Sequence, residues 1–329
     1  MHPAPSLITF TSLSGLGFGM LFWMGLGLTW LRGELSVGVL FLAYAVAFAL
    51  AAGGLVASLF HLGHPERAWR ALSQWRTSWL SREGVAAVAT LLVMGLFALA
   101  HIFLIELHEP FRFRSDDGAL GVVAVLLGWT GAALCLVTIV CTAMIYASLK
   151  AVPRWNAWST PVLFVLFALA GGALLSGLFA VATVLLLALG AAQIWAYVTG
   201  DRALAATGTT LGTATGLGRV GPAGRARVRL FEPPHTGENY LLREMVFRVG
   251  RRHRARLRLV AIACAGLLPA LLLLVGWLAT APLTGLLAAL VVHVVGLFAS
   301  RWLFYAEAEH LVGLYYGAHG NTGAQAGAA

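Results

Sequence analysis

The sequence predicts an all-α integral membrane protein: a bundle of eight transmembrane helices with a short interfacial helix and a basic cytoplasmic loop. Three observations carry this reading. The 329-residue chain is 60% hydrophobic and only 11% charged, with a mean hydropathy of +0.84, whereas soluble domains carry about 25% charged residues. Its apolar residues gather in runs near the roughly 20 residues that a helix needs to cross ~30 Å of hydrocarbon. Its basic residues gather in alternate loops.

The apolar runs cover approximately 10–31, 35–60, 84–107, 119–147, 159–177, 179–198, 259–280 and 283–304. Before the first, Met-His-Pro-Ala-Pro-Ser holds no Lys or Arg, and none occurs until Arg32. The basic n-region of a cleavable signal peptide is therefore missing, and the first helix is expected to stay. Residues 159–198 form one apolar block broken only by Gly171-Gly172 and Ser176-Gly177. About 40 residues rising 1.5 Å each would be twice too long for one crossing, so a hairpin is expected there.

The formal charge of +9 follows topology. Of 22 Lys and Arg, four fall in 61–83, two in 148–158 and twelve in 199–258, whereas Arg32, Arg112 and Arg114 lie in loops on the other side and Arg301 lies in the last run. With eight spans, the basic loops and both termini share one side, which the positive-inside rule makes the cytoplasm. Residues 1–329 then form a single transmembrane domain with a flexible tail over 318–329.

Within the 199–258 loop, the first half is rich in Gly, Thr and Ala and reads as flexible. "TGLGRVG" lacks the preceding strand that a nucleotide fingerprint requires. In the second half, Leu241, Leu242, Met245, Val246 and Val249 recur at helical spacing among arginines, as in a surface amphipathic helix. Such a helix either anchors to anionic lipid or docks a partner. Cys135, Cys141 and Cys264 all fall in spans with no C-x-x-C pair, so the chain shows no iron–sulfur, zinc or c-type haem motif of its own. No internal repeat suggests the inverted halves of a transporter.

The densest chemistry lies at 60–84, "FHLGHPERAWRALSQWRTSWLSREG". Pro65 disfavours helix at His64 and starts a new one. Trp69, Leu72 and Trp75 then repeat every three residues among Arg67, Arg70 and Arg76, as in an interfacial helix. Ser81 suits the N-cap of the third span, with Glu83 as a favourable charge in its first turn. Headgroup anchoring explains the arginines and tryptophans. It explains His61 and Glu83 less well, because ionisable groups at span ends tend to mark a proton or ligand pathway. A histidine and a carboxylate at a lipid-accessible cleft suit a quinone, whose carbonyls accept hydrogen bonds and whose redox change moves two protons with two electrons.

"HLGHPERAWRAL…SWLSRE" resembles the signature of the membrane anchor subunits of dimethyl sulfoxide reductase-type molybdoenzymes. "MIYASLKAVPRWNAWSTP" (144–161) is similar to that family's tyrosine, proline-tryptophan and W-x-T-P pattern, and "SRWLFY" (300–305) to its last-span motif. The N-terminal stretch and "EPPHTGENYLLREMVFRVGRRH" resemble more particularly the anchors of cytoplasm-facing, quinone-linked sulfite dehydrogenases. The resemblance implies a quinone-binding anchor, for ubiquinone or menaquinone, beside a ferredoxin-like iron–sulfur subunit and a molybdopterin catalytic subunit. The catalytic centre then sits on a partner chain. The resemblance carries the family's quinone-site histidine, arginine and glutamate onto His61, Arg67 and Glu83 of this chain. His64, Arg301 and Tyr305 are further candidates for the same site. The family commonly places a histidine three residues after its last-span F-Y, where this chain has Ala308, with His310 two later.

Other groups are open to two readings. His101, Glu106, His108 and Glu109 either end a helix in water or exchange protons on the outer side. His101 and His293 lie within spans, as a bis-histidine haem would need, though the resembling family has none. Arg301 either snorkels to the interface or has a role in orienting quinone or pairing Glu309, and Arg301, Tyr305 and Glu309 would form one polar strip. The expected function is electron transfer between an iron–sulfur subunit and quinone, coupled to sulfite oxidation to sulfate. The alternatives are the anchor of a dimethyl sulfoxide reductase oxidising menaquinol and, from another class, a secondary transporter.

Overall fold

A computed structural model describes residues 3–27, 37–107, 118–217, 228, 231 and 253–316. Nine α-helices lie among them: α1 (Pro5–Gly25), α2 (Val37–Ala57), α3 (Trp79–Leu107), α4 (Gly118–Ala147), α5 (Ser159–Leu175), α6 (Phe179–Ala206), the short α7 (Leu211–Thr215), α8 (Arg254–Leu278) and α9 (Pro282–Ala306). Seven are long and apolar enough to cross a membrane, and α5, apolar but only 17 residues long, falls below that length. The expected amphipathic helix at 241–249 and the 318–329 tail lie outside the described residues.

Helix α1 begins at Pro5, whose fixed φ suits a first turn. It forms the axis of the bundle, packing on α2, α4, α5 and α9. Its apolar window is 72% buried, against 28–39% for the other six long spans. Those others turn large apolar side chains outward, among them Phe41, Leu92, Leu99, Val184 and Val291. A water-soluble protein of this size would not leave so much apolar surface uncovered; lipid covers it at no such cost.

Without a hydrophobic force between helices in lipid, close packing must hold the bundle, and small residues permit it. At the α1–α5 crossing, a Cβ on Gly19 would run into the Ala168 carbonyl, and one on Gly172 into the backbone of Gly19. Gly95, by contrast, faces open space. Gly172→Leu is therefore expected to abolish recovery of monodisperse protein in mild detergent, whereas Gly95→Leu leaves it unchanged. Size-exclusion profiles of the two variants provide the check.

The predicted span 259–280 is observed as α8, which contains a π-helical turn at Ala263–Leu267. Pro269 supplies the cause. It has no N–H to give the carbonyl four residues back, so the Ala265 oxygen is left over. His293 of α9 fills the gap, its Nδ1–H donating to Ala265 O at 2.7 Å. This histidine thus secures α8 to α9 and keeps company with Phe167, while His101 pairs with the Tyr44 hydroxyl at 2.9 Å and stacks on Phe97. The two histidines have separate surroundings and separate partners.

Candidate functional site

The segment between α2 and α3 folds as two 3₁₀ turns, Ser58–His61 and Pro65–Gln74. The three-residue spacing of Trp69, Leu72 and Trp75 matches three residues per turn, so the helix predicted here is 3₁₀ rather than α. Arginines lie over tryptophans here and at the start of α3: Arg70 over Trp69, Arg76 over Trp75, and Arg82 over Trp79 at 4.4 Å. His61, His64 and Arg67 are exposed. His64 Nδ1 lies 3.1 Å and Arg67 Nε 3.7 Å from Glu66 Oε1, which makes a small surface cluster.

This segment is fastened to the start of α3. Leu72 packs against Gly84, where an added Cβ would lie 2.8 Å from its Cδ2. The Ser81 hydroxyl donates to the Ala71 carbonyl. Helix α3 starts at Trp79 rather than near residue 84, so Ser81 is not its N-cap, and Glu83 is not a helix-end charge in water. Glu83 is instead 5% exposed, with Thr142 of α4 as hydrogen-bond partner and Oε1 unpartnered. A carboxyl group buried this way at a span end is costly.

One turn beyond Thr142 stands Tyr146, near enough to Glu83 for the two to interact electrostatically. The Tyr146 hydroxyl shares a 2.7 Å hydrogen bond with the Tyr305 hydroxyl of α9, and Tyr305 has Thr11 of α1 as a further partner. Arg301, one turn before Tyr305, is 3% exposed and lies 3.7 Å over the Phe164 ring. It does not snorkel. A buried polar row therefore runs from Glu83 through the two tyrosines to Arg301. Helix α9 ends at Ala306, so Glu309 is off the helix and the predicted Arg301–Tyr305–Glu309 strip stops at Tyr305. His310 sits in the turn after α9, its Nδ1 accepting from the Val312 N–H at 3.0 Å. Partial burial pushes its pKa below the usual histidine value.

Beside this row lies an ion cluster that no single motif announces. Arg154 from the α4–α5 loop and Arg258 from α8 converge on Glu307 at the end of α9, with contacts of 2.7, 2.7 and 2.9 Å. Both also reach Asp201 of α6, Arg258 at 2.6 and 2.7 Å and Arg154 at 3.1 Å. The guanidinium of Arg258 lies 4.7 Å over the Tyr197 ring. Charge-assisted pairs of this kind are the strong ones.

The predicted candidates thus divide. Glu83, Tyr305 and Arg301 come together inside the bundle, joined by Tyr146, whereas His61, His64 and Arg67 stay outside on the segment above. Among the described residues no group of three or more His, Cys, Asp or Glu is placed to hold a metal.

Residues 1–196 match the family model described as the DMSO reductase anchor subunit. Over 338 aligned positions the chain is 32% identical to a sulfite dehydrogenase subunit of Allochromatium vinosum, covering 96% of this chain and 99% of that one. The chain belongs to the DMSO reductase anchor subunit family. Membership makes it the membrane anchor of a multi-subunit molybdoenzyme complex. The anchor-family match includes the 58–84 segment and Tyr146, and the relative extends the likeness through the Arg301–Glu307 end.

Proposed function

We propose that this anchor binds quinone beneath the 58–78 segment and passes electrons between the quinone pool and an iron–sulfur subunit docked at that end. The buried Glu83 carboxyl, with an unpartnered oxygen and between the Ser81 and Gly84 contacts to the segment that carries His61 and Arg67, is the observation that carries the reading. Quinone reduction takes up two protons with two electrons, and a buried acid with no ion partner is suited to deliver them. His61 would hydrogen-bond one carbonyl and exchange its proton; Arg67 orients the headgroup, and His64 holds the turn through Glu66. Tyr305 and Arg301 stand behind Glu83 and position it through Tyr146.

Counting α5, at about 26 Å of rise, gives eight crossings. Both termini and the end bearing Arg154, Arg258 and the 58–78 segment then face the bacterial cytoplasm, where molybdopterin and iron–sulfur clusters would sit on partner subunits. The likeness to a sulfite dehydrogenase subunit favours sulfite oxidation to sulfate with quinone as acceptor. The family description favours a second reading, menaquinol oxidation by a dimethyl sulfoxide reductase, since a pocket that reduces quinone also oxidises quinol. A transporter would place its polar groups near the bilayer midplane, whereas the polar row and the ion cluster share one end.

Gentle purification of the tagged chain from its native membrane tests this. A molybdenum polypeptide and a cysteine-rich iron–sulfur subunit are expected to co-purify, with sulfite-to-quinone activity. In that complex His61→Ala is expected to lower quinone-linked turnover at least ~tenfold with dye-linked turnover preserved. Recovery of the chain alone and metal-free, from membranes whose other respiratory complexes stay intact, would bring down the proposal.

A further inference from the structure

Between α5, α6 and α9 a cleft of about 50 Å³ opens beside the ion cluster. Its lining includes Arg301, the end of the polar row, but not Glu83, Tyr146 or Tyr305. Gln193 and Arg301, 1% and 3% exposed, both line it. Ser300 Oγ donates to Gln193 Oε1 at 2.9 Å, which orients the amide and leaves its Nε2–H without a partner. The Nε–H of Arg301 has none either. Two residues that line one cleft therefore each carry a buried donor with nothing to accept from it. Leaving such donors unmet is expensive.

The charge balance narrows what would meet them. Arg154 and Arg258 are offset by Glu307 and Asp201. Arg301 has no carboxylate partner among the described residues and rests only on the rings of Phe164 and Phe167. Ser159 and Thr160, the first residues of α5, line the same cleft, so the positive end of that helix dipole adds to the field. Glu307 and Arg154 also line the cleft, but that carboxylate is taken up by Arg154 and Arg258, so the charge left over is that of Arg301, which calls for an oxyanion. The cleft lies at the end of the bundle that carries Arg154 and Arg258. Beside it, Val162, Ile194, Trp195 and Val198 are exposed apolar side chains of α5 and α6, against which acyl chains would pack. Basic pockets between membrane-spanning helices bind anionic lipid headgroups.

We propose that this cleft holds the phosphate of an anionic phospholipid, with Arg301 and Gln193 as its buried donors and the lipid chains along α5 and α6. The bound lipid would complete the charge balance at this end and brace the α5–α6 hairpin against α9.

The test uses the full-length protein, delipidated in detergent and titrated with phosphatidylglycerol, diacylglycerol, inorganic phosphate or a short-chain ubiquinone. Native mass spectrometry reads the bound mass, and the unfolding midpoint reads stabilisation. Phosphatidylglycerol is expected to bind one per chain and raise the midpoint, with diacylglycerol inert. Gln193→Leu, an apolar change at an apolar-tolerant depth, is expected to weaken that binding at least ~tenfold while the folded protein is recovered normally. Arg301→Leu is expected to abolish it. Equal binding of diacylglycerol, unchanged affinity in Gln193→Leu, stabilisation by inorganic phosphate without lipid, or ubiquinone taking the same Gln193-dependent site would each overturn the assignment.

Discussion

Glu83→Gln in the assembled complex is expected to lower quinone-linked turnover by about 10²–10⁴-fold, the range over which a positioned proton-transfer group acts, with dye-linked substrate turnover unchanged. Glutamine keeps the volume of the side chain and its hydrogen bond to Thr142. It can neither release nor take up a proton. Because Glu83 Oε1 is buried without a partner, replacing the acid by an amide removes a buried ionisable group and breaks no ion pair but leaves an amide N–H₂ unmet in its place, so stability is expected to change little. Glu83→Asp keeps the proton but shortens the reach, and should fall between the two. Parallel assays with a quinone analogue and an artificial dye, on protein shown by size exclusion to be fully assembled, separate these outcomes. Full quinone-linked activity in Glu83→Gln would remove Glu83 from the chemistry and return it to the role of a buried structural acid.

The spans are legible in the sequence because hydropathy sums over some twenty positions and tolerates local error. Their ends are less so. Helix α3 begins five residues before the predicted 84, and its first turns are tied to the 3₁₀ segment through Ser81 to Ala71 and Gly84 to Leu72, tertiary contacts that capping rules do not contain. Glu83 stands out by residue type and place, but for a reason the structure replaces: burial against α4, not a helix-end charge. Tyr146 lies within a family motif, yet its meaning depends on the Tyr305 hydroxyl 159 residues away. The Asp201–Glu307 cluster is illegible for the same reason. Its arginines read as ordinary positive-inside charge until the fold brings four segments to one point. The π turn does have a local signal, Pro269 inside an apolar run.

Glu307→Ala is expected to cost about 3–5 kcal/mol, the penalty for removing one member of a buried, hydrogen-bonded ion group. Glu307 is 4% exposed at the side chain and receives Arg154 and Arg258, themselves 16% and 14% exposed. Without it, two buried guanidiniums share only Asp201, which is 35% exposed and more easily replaced by water. Asp201→Ala is therefore expected to cost less. Removing a cation together with the anion relieves the uncompensated charge, so Glu307→Ala combined with Arg258→Met should recover part of the loss. Arg154 comes from the α4–α5 loop, Asp201 from α6, Arg258 from α8 and Glu307 from the end of α9, so the cluster ties four segments at the end where a partner subunit would dock. Loss of the tie should loosen that surface, and the partner should dissociate more readily from Glu307→Ala than from Asp201→Ala. Unfolding midpoints in detergent, with subunit retention on size exclusion, measure both effects. A Glu307→Ala protein as stable as the unmodified chain would mean that water satisfies the two arginines and that the cluster holds nothing together.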